Sequence, residues 1–211
     1  MRAAPDRVFT ATRVEAFSDG VLAIVMTLLV LEIKTPRLHS PENVGQAWLA
    51  LVDLAPKFAS FFLSFFFIAV FWVNHHRLFT LIRKVDWGIL WLNNLLLLLL
   101  CFVPFPTAFI GDHPRNPLAL ALFALVLMSA GIAFNLMWRH GRRNHLTEET
   151  LPVEPINQAI RRGLYGPMAY AIAAIAAFLA VPVSWLIFLA VPVFYAFPTR
   201  GRDTANKEST K

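Results

Sequence analysis

The chain has 211 residues, of which 57% are hydrophobic and 15% charged. So few charged side chains cannot clothe a soluble domain of this length, so composition excludes one and indicates a membrane protein. The net charge of +6 does not require a nucleic-acid partner, because a positive bias of this size arises from the loops of a membrane protein.

Met1 to Thr12 is a short basic lead. It is not expected to be a cleavable signal, because the apolar segment behind it is full length, contains Asp19 and lacks a small-residue cleavage site. The first span is expected over Val14 to Ile33, where about 20 residues rising 1.5 Å each cross ~30 Å of hydrocarbon. An acid inside such a span is costly unless it faces protein or water, which marks Asp19 as a functional-site candidate. The alternative is a shallower helix end that leaves Asp19 near headgroups. Projected at about 100° per residue, Ile24, Leu28 and Leu31 share one narrow stripe. Arg13 and Phe17 lie below them on the same line and Thr27 at its edge, while Ser18 and Asp19 point elsewhere. Periodicity alone assigns that stripe to lipid or to a neighbouring helix.

Pro36 ends the first span, and Pro41 to Leu54 is expected to be a short interfacial helix opened by Ser40-Pro41-Glu42. Further spans are expected at about Pro56–Phe79, Trp87–Ile110 and Pro117–Trp138. Arg139 to Arg162 has mixed charge and reads as a solvated loop. Two shorter apolar runs, Leu164–Val181 and Ser184–Phe197, make a helical hairpin divided at Pro182. Residues 1–199 thus form one all-α, polytopic domain of six transmembrane helices, and the polar tail 200–211 is expected to be disordered. Cys101 can form no internal disulfide and is expected to be a small core residue.

Orientation follows the Lys and Arg residues of the loops. With six spans, the lead, the second and fourth loops and the tail share one side, and only Lys34, Arg37, Lys57 and Arg115 fall on the other. Both termini are therefore expected to be cytoplasmic in a multi-pass protein of the cell membrane. The same topology brings polar groups to a common depth in the inner half of the bilayer. Arg13, Ser18, Asp19, His75, His76 and Asn94 are expected to form a structural polar network that holds the first helix against its own bundle. Alternatively each group satisfies only a local partner, or one histidine senses protons. Adjacent His75 and His76 point about 100° apart, unlike the i, i+4 pair of a zinc helix, and neither a metal site nor another cofactor is expected. Trp72, Trp87, Trp91, Trp138 and Trp185 read as interfacial anchors.

The segment Arg13-Val14-Glu15-Ala16-Phe17-Ser18-Asp19-Gly20, continued by Val21, Ala23-Ile24 and Thr27-Leu28-Leu29, Leu31-Glu32-Ile33, resembles the first helix of the transmembrane protein 175 family, potassium channels of bacteria and lysosomes. Asn74-His75-His76-Arg77-Leu78-Phe79 and the run from Asn94 to Pro104-Phe105-Pro106-Thr107 resemble its second and third helices. The resemblance implies six helices per repeat, with the first helix lining a central pore that is narrowest at an apolar ring. One repeat per chain implies a homotetramer in the lipid bilayer. The expected function is a potassium-permeable channel for monovalent cations with modest selectivity over sodium, and not an enzyme. Ile24, Thr27, Leu28 and Leu31 are the expected pore-lining and selectivity residues, with Glu32 at the outer mouth or simply solvated at the helix end. No Thr-Val-Gly-Tyr-Gly filter is present, so an apolar constriction must discriminate. The rival expectation is a secondary transporter or proton-coupled permease using Asp19 and a histidine, although repeat symmetry and broken helices are not evident.

Overall fold

In the computed structural model, residues 10–40, 42–82, 84–147 and 153–197 are described. The lead before residue 10 and the tail 200–211 lie outside them. The helices are α1 (Ala11–Leu31), α2 (Val44–Asp53), α3 (Ala55–Leu81), α4 (Trp87–Phe102), α5 (Pro104–Asp112), α6 (Pro117–Arg143), α7 (Val153–Arg162), α8 (Tyr165–Leu179) and α9 (Val181–Ala196). Five stretches are long and apolar enough to cross a membrane: α1, α3, α4 with α5, α6, and the end of α7 with α8. The 16-residue α9 is shorter, about 24 Å, and completes the sixth pass as the partner of α8. Ser184 Oγ joins the pair by donating to the Ala173 carbonyl at 2.8 Å.

The expected third span is broken. Pro104 and Pro106 have no N–H, so the helix ladder loses two donors at one place. Val103 N bonds Leu100 O at 3.1 Å, and its own carbonyl accepts from both Thr107 N and Thr107 Oγ1. Ser64 Oγ lies 2.7 Å from Thr107 Oγ1, which fastens the break to α3. The expected interfacial helix is present as α2, but its cap is Asn43, whose Oδ1 accepts from Gln46 N while Gln46 Oε1 accepts from Ser40 N. Cys101 is exposed and so is not a core residue. Trp138 is buried, 5% exposed, and is not an interfacial anchor.

The solvated loop expected over Arg139–Arg162 is largely helical. The α6 helix runs on to Arg143, with His140, Arg142 and Arg143 in its last turn, where cations favour the negative end of the helix dipole. Ile82 and Thr147 pair in an isolated antiparallel bridge, and α7 follows with Ile156 buried. Asn135 Nδ2 of α6 donates to Ile160 O at 2.7 Å and ties α7 down. The α6 and α8 backbones approach closely at Gly131, where a Cβ would lie 2.9 Å from Pro167 Cγ.

Asp86 caps α4 by accepting from Ile89 N at 2.8 Å, and its other oxygen lies 2.8 Å from His140 Nε2 on α6. Burial alone would raise the Asp86 carboxyl, but the Ile89 N–H and His140 outweigh it and hold it below the usual carboxylate range. A depressed folded value means that the contribution is fully present above the unfolded value, about 3.9, and is lost as pH falls through the folded one. Thermal melts in mild detergent should therefore lose stability below about pH 4, and Asp86→Asn, which keeps an acceptor for the cap but not the charge, should flatten that part of the profile.

Candidate functional site

The α1 helix divides into two faces. Val14, Ser18, Leu22, Val25 and Leu29 are buried against the bundle, following the spacing of one helical stripe. On the opposite side Ile24 is 59% exposed, Leu28 42% and Leu31 69%, whereas Val25 is 1% exposed. Phe17, Thr27 and Glu32 are exposed as well. The apolar stripe of the sequence therefore points away from its own chain. Thr27 Oγ1 spends its proton on Ile24 O at 2.7 Å, which leaves the oxygen lone pairs outside the helix ladder. Arg13 lies on this exposed side, and among the described residues its side chain makes no hydrogen bond or ion pair. Among the described residues it takes no part in the expected polar network.

What fixes this rotation is a set of hydrogen bonds on the flank of α1. Glu15, Ser18 and Asp19 are spaced i, i+3, i+4, and so are Trp72, His75 and His76 on the antiparallel α3. Glu15 Oε1 is 2.7 Å from His76 Nδ1, and Trp72 Nε1 donates to Asp19 Oδ1 at 3.0 Å. Between them the bridge is indirect. Asn93 Nδ2 of α4 donates to Ser18 Oγ at 2.9 Å, and Asn93 Oδ1 lies 2.8 Å from His75 Nε2. Ser18 has one hydroxyl proton and gives it to Val14 O at 2.8 Å, so its 3.3 Å approach to Asn93 Oδ1 is not a second simultaneous bond. An amide oxygen accepts only, so His75 carries its proton on Nε2. Its Nδ1 is buried without a partner among the described residues, and the ring packs on Phe79 with centroids 4.6 Å apart.

The expected network is thus rearranged. Asp19 and His76 are joined to Trp72 and Glu15 rather than to one another, and Asn93 stands where Asn94 was expected. Asn94 is exposed. The physical reason is helical phase: Asn93 shares the buried stripe of Ile89, Leu96 and Leu100, whereas Asn94 shares the exposed stripe of Trp87, Trp91 and Leu98. Projecting α4 as α1 was projected identifies the right asparagine, and the repeated i, i+3, i+4 spacing on α3 identifies Trp72. Glu15 follows from the same spacing. At the other end Lys57 Nζ meets Asp112 Oδ1 at 2.6 Å, a partly exposed pair of the kind that contributes little.

Fold and site together define a multi-pass helical membrane protein whose first span is anchored on one flank and bare on the other. The family model described as Endosomal/lysosomal potassium channel TMEM175 matches residues 13–104. A protein of Chamaesiphon minutus named as a potassium channel is 37% identical over 188 residues, covering 87% of this chain and 92% of that protein. Another so named, from Streptomyces collinus, is 34% identical and covers 89% of this chain and 95% of its own length. The crystal structure of a lysosomal potassium-selective channel TMEM175 homolog from Chamaesiphon minutus superposes with a TM-score of 0.78 at 35% identity, over 88% of this chain and 96% of that one. The chain belongs to the TMEM175 family, a family of ion channels and not of enzymes.

Among the described residues Asn93 is the one bridge from Ser18 to His75, so Asn93→Ala takes the last partner from the buried His75 ring and the donor from Ser18 Oγ, which keeps its bond to Val14 O, at a cost of about 1–3 kcal/mol. Thermal melting in detergent should fall clearly for Asn93→Ala and stay near the parent for Asn94→Ala. The reverse order would place the anchor on the wrong face of α4.

Proposed function

We propose that the protein is a potassium-permeable cation channel in which the α1 helices of four chains enclose the pore. The observation that carries this reading is the bare apolar stripe of α1, opposite a buried stripe that already satisfies its own bundle. One stripe cannot enclose a path, and closed rotational symmetry is the ordinary way to surround one. The family relatives named as potassium channels support the permeant ion.

In this arrangement Ile24, Leu28 and Leu31 form stacked apolar rings that water leaves readily, which makes a hydrophobic gate. A narrow apolar ring cannot replace the waters an ion sheds, and sodium, the more strongly hydrated ion, suffers more than potassium. Selectivity from that source is modest. The Thr27 hydroxyls add oxygen ligands at the edge of the rings, and Glu32 concentrates cations at the outer mouth. No cofactor takes part. Both termini face the cytoplasm of a cell membrane by the distribution of Lys and Arg. The break at Val103 is a feature that transporters share, but Asp19, His75 and His76 each have a different partner and supply no common coupling-ion site among the described residues.

Recording from purified protein in bilayers under potassium and sodium gradients tests the proposal. Ile24→Asn should raise conductance and lower discrimination, because amide oxygens wet the ring and restore ligands to sodium. Val25→Asn places an amide in the chain's own core and should instead cost roughly 1–3 kcal/mol of stability without opening a path. Native mass measurement in mild detergent should give a tetramer. A conducting monomer, or equal effects of the two substitutions on permeability, would overturn the pore assignment.

A further inference from the structure

A cavity of about 730 Å³ lies between α3, α6, α7, α8 and α9 at the end of the bundle where α3 finishes and α8 begins. It takes no part in the α1 anchor. One end is basic: Arg77 of α3 and Arg161 and Arg162 of α7 line it, together with Asn74, and among the described residues none that lines it is acidic. The other end is aromatic, with Phe67, Phe71, Phe134 and Tyr170. From Phe67 to Arg77 is ten residues of α3, about 15 Å of rise, which is half the ~30 Å hydrocarbon core and so the depth of one leaflet. Tyr165, Val193 and Phe194 at the rim are about half exposed, and an apolar rim opens more naturally to lipid than to water.

The walls are held in place without a ligand. Arg162 Nη2 donates to the Phe194 and Phe197 carbonyls at 2.6 and 2.8 Å, satisfying the end of α9, and its guanidinium lies 4.5 Å over the Phe194 ring. Tyr195 Oη donates to Arg162 O at 2.6 Å and accepts from Gly166 N at 2.9 Å. Among the described residues Arg162 Nε is buried with no partner, and neither Arg77 nor Arg161 has a counter-charge. A preformed cavity with a cationic mouth and an apolar interior is complementary to an anionic amphiphile.

We propose that this cavity holds one acyl chain of an anionic phospholipid from the leaflet on the basic side, with its phosphate between Arg77 and Arg161. The chain fills the aromatic end, and the remainder of the lipid stays in the leaflet. Basic pockets between membrane helices suit such headgroups. The chain's own tail is a poor occupant, because Arg200, Arg202, Lys207 and Lys211 outnumber its acids and would meet a cationic mouth.

The test is native mass spectrometry of the intact protein in neutral detergent with equal amounts of dioleoyl phosphatidylglycerol and dioleoyl phosphatidylcholine. The phosphatidylglycerol should be retained with about tenfold preference, and it should raise the melting temperature as a ligand of the native state does. Arg77→Gln/Arg161→Gln should bring the preference close to parity. Val70→Trp, which narrows the cavity and leaves its charges, should reduce retention of both lipids. Equal retention by the unaltered protein, or undiminished preference in the double arginine variant, would overturn the proposal. So would competition by glycerol 3-phosphate as effective as that by the whole lipid, since the headgroup alone would then suffice.

Discussion

The rotation of α1 depends on Asn93. A span with one polar flank and one apolar face can be turned about its axis at little cost in lipid, because hydrocarbon discriminates weakly between Leu, Ile and Val positions. Hydrogen bonds discriminate strongly, because a buried amide or hydroxyl has no water to fall back on. Asn93 donates to one helix and accepts from another, so only one rotation of α1 satisfies Ser18 and His75 together. Glu15 with His76 and Asp19 with Trp72 repeat that constraint above and below it. The apolar stripe then faces outward as a consequence of what the flank requires.

Much of this was legible in the sequence, and the failures have specific causes. Hydropathy located the spans because it measures length and apolarity, which the bilayer itself demands. It did not locate the break at Val103, although Pro104 and Pro106 state it, since two prolines two residues apart in an apolar run remove donors without ending the run. The helical content of the connection after Arg139 was hidden by mixed charge, which describes the solvated side of α7 as well as it describes a loop. Within the site, projecting α1 separated Ile24, Leu28 and Leu31 from Ser18 and Asp19 correctly. The depth argument brought Asp19 and the histidines to one level but carried no information on phase. It therefore named Asn94 where Asn93 stands and grouped Asp19 with a histidine where its partner is Trp72. Trp72 was missed because a tryptophan near a span end has an ordinary explanation at the interface, and only its spacing from His75 and His76 sets it apart.

The α3 helix is the element that both faces of the molecule share. Trp72, His75 and His76 look toward α1, while Phe67, Phe71, Asn74 and Arg77 look into the cavity behind. Helical phase separates the sets, since at about 100° per residue Phe67, Asn74 and Arg77 fall on one side of α3 and Trp72 and His76 on the other, with Phe71 and His75 along the boundary between them. A lipid chain lodged in the cavity as proposed would therefore press on α3 from the side opposite the proposed pore. Three hydrogen-bonded links at i, i+3 and i+4 span little more than one turn, so they resist sliding of α1 along α3 yet permit the pair to tilt together about that turn. Ile24, Leu28 and Leu31 lie on the part of α1 beyond the links, where a small tilt gives the largest displacement. In the proposed ring of four such helices, displacement at that level would change the width of the proposed apolar constriction before it changed anything at Ser18. The anchor and the constriction being at different depths is what would let packing behind α3 alter the path for ions while every hydrogen bond of the anchor stays made.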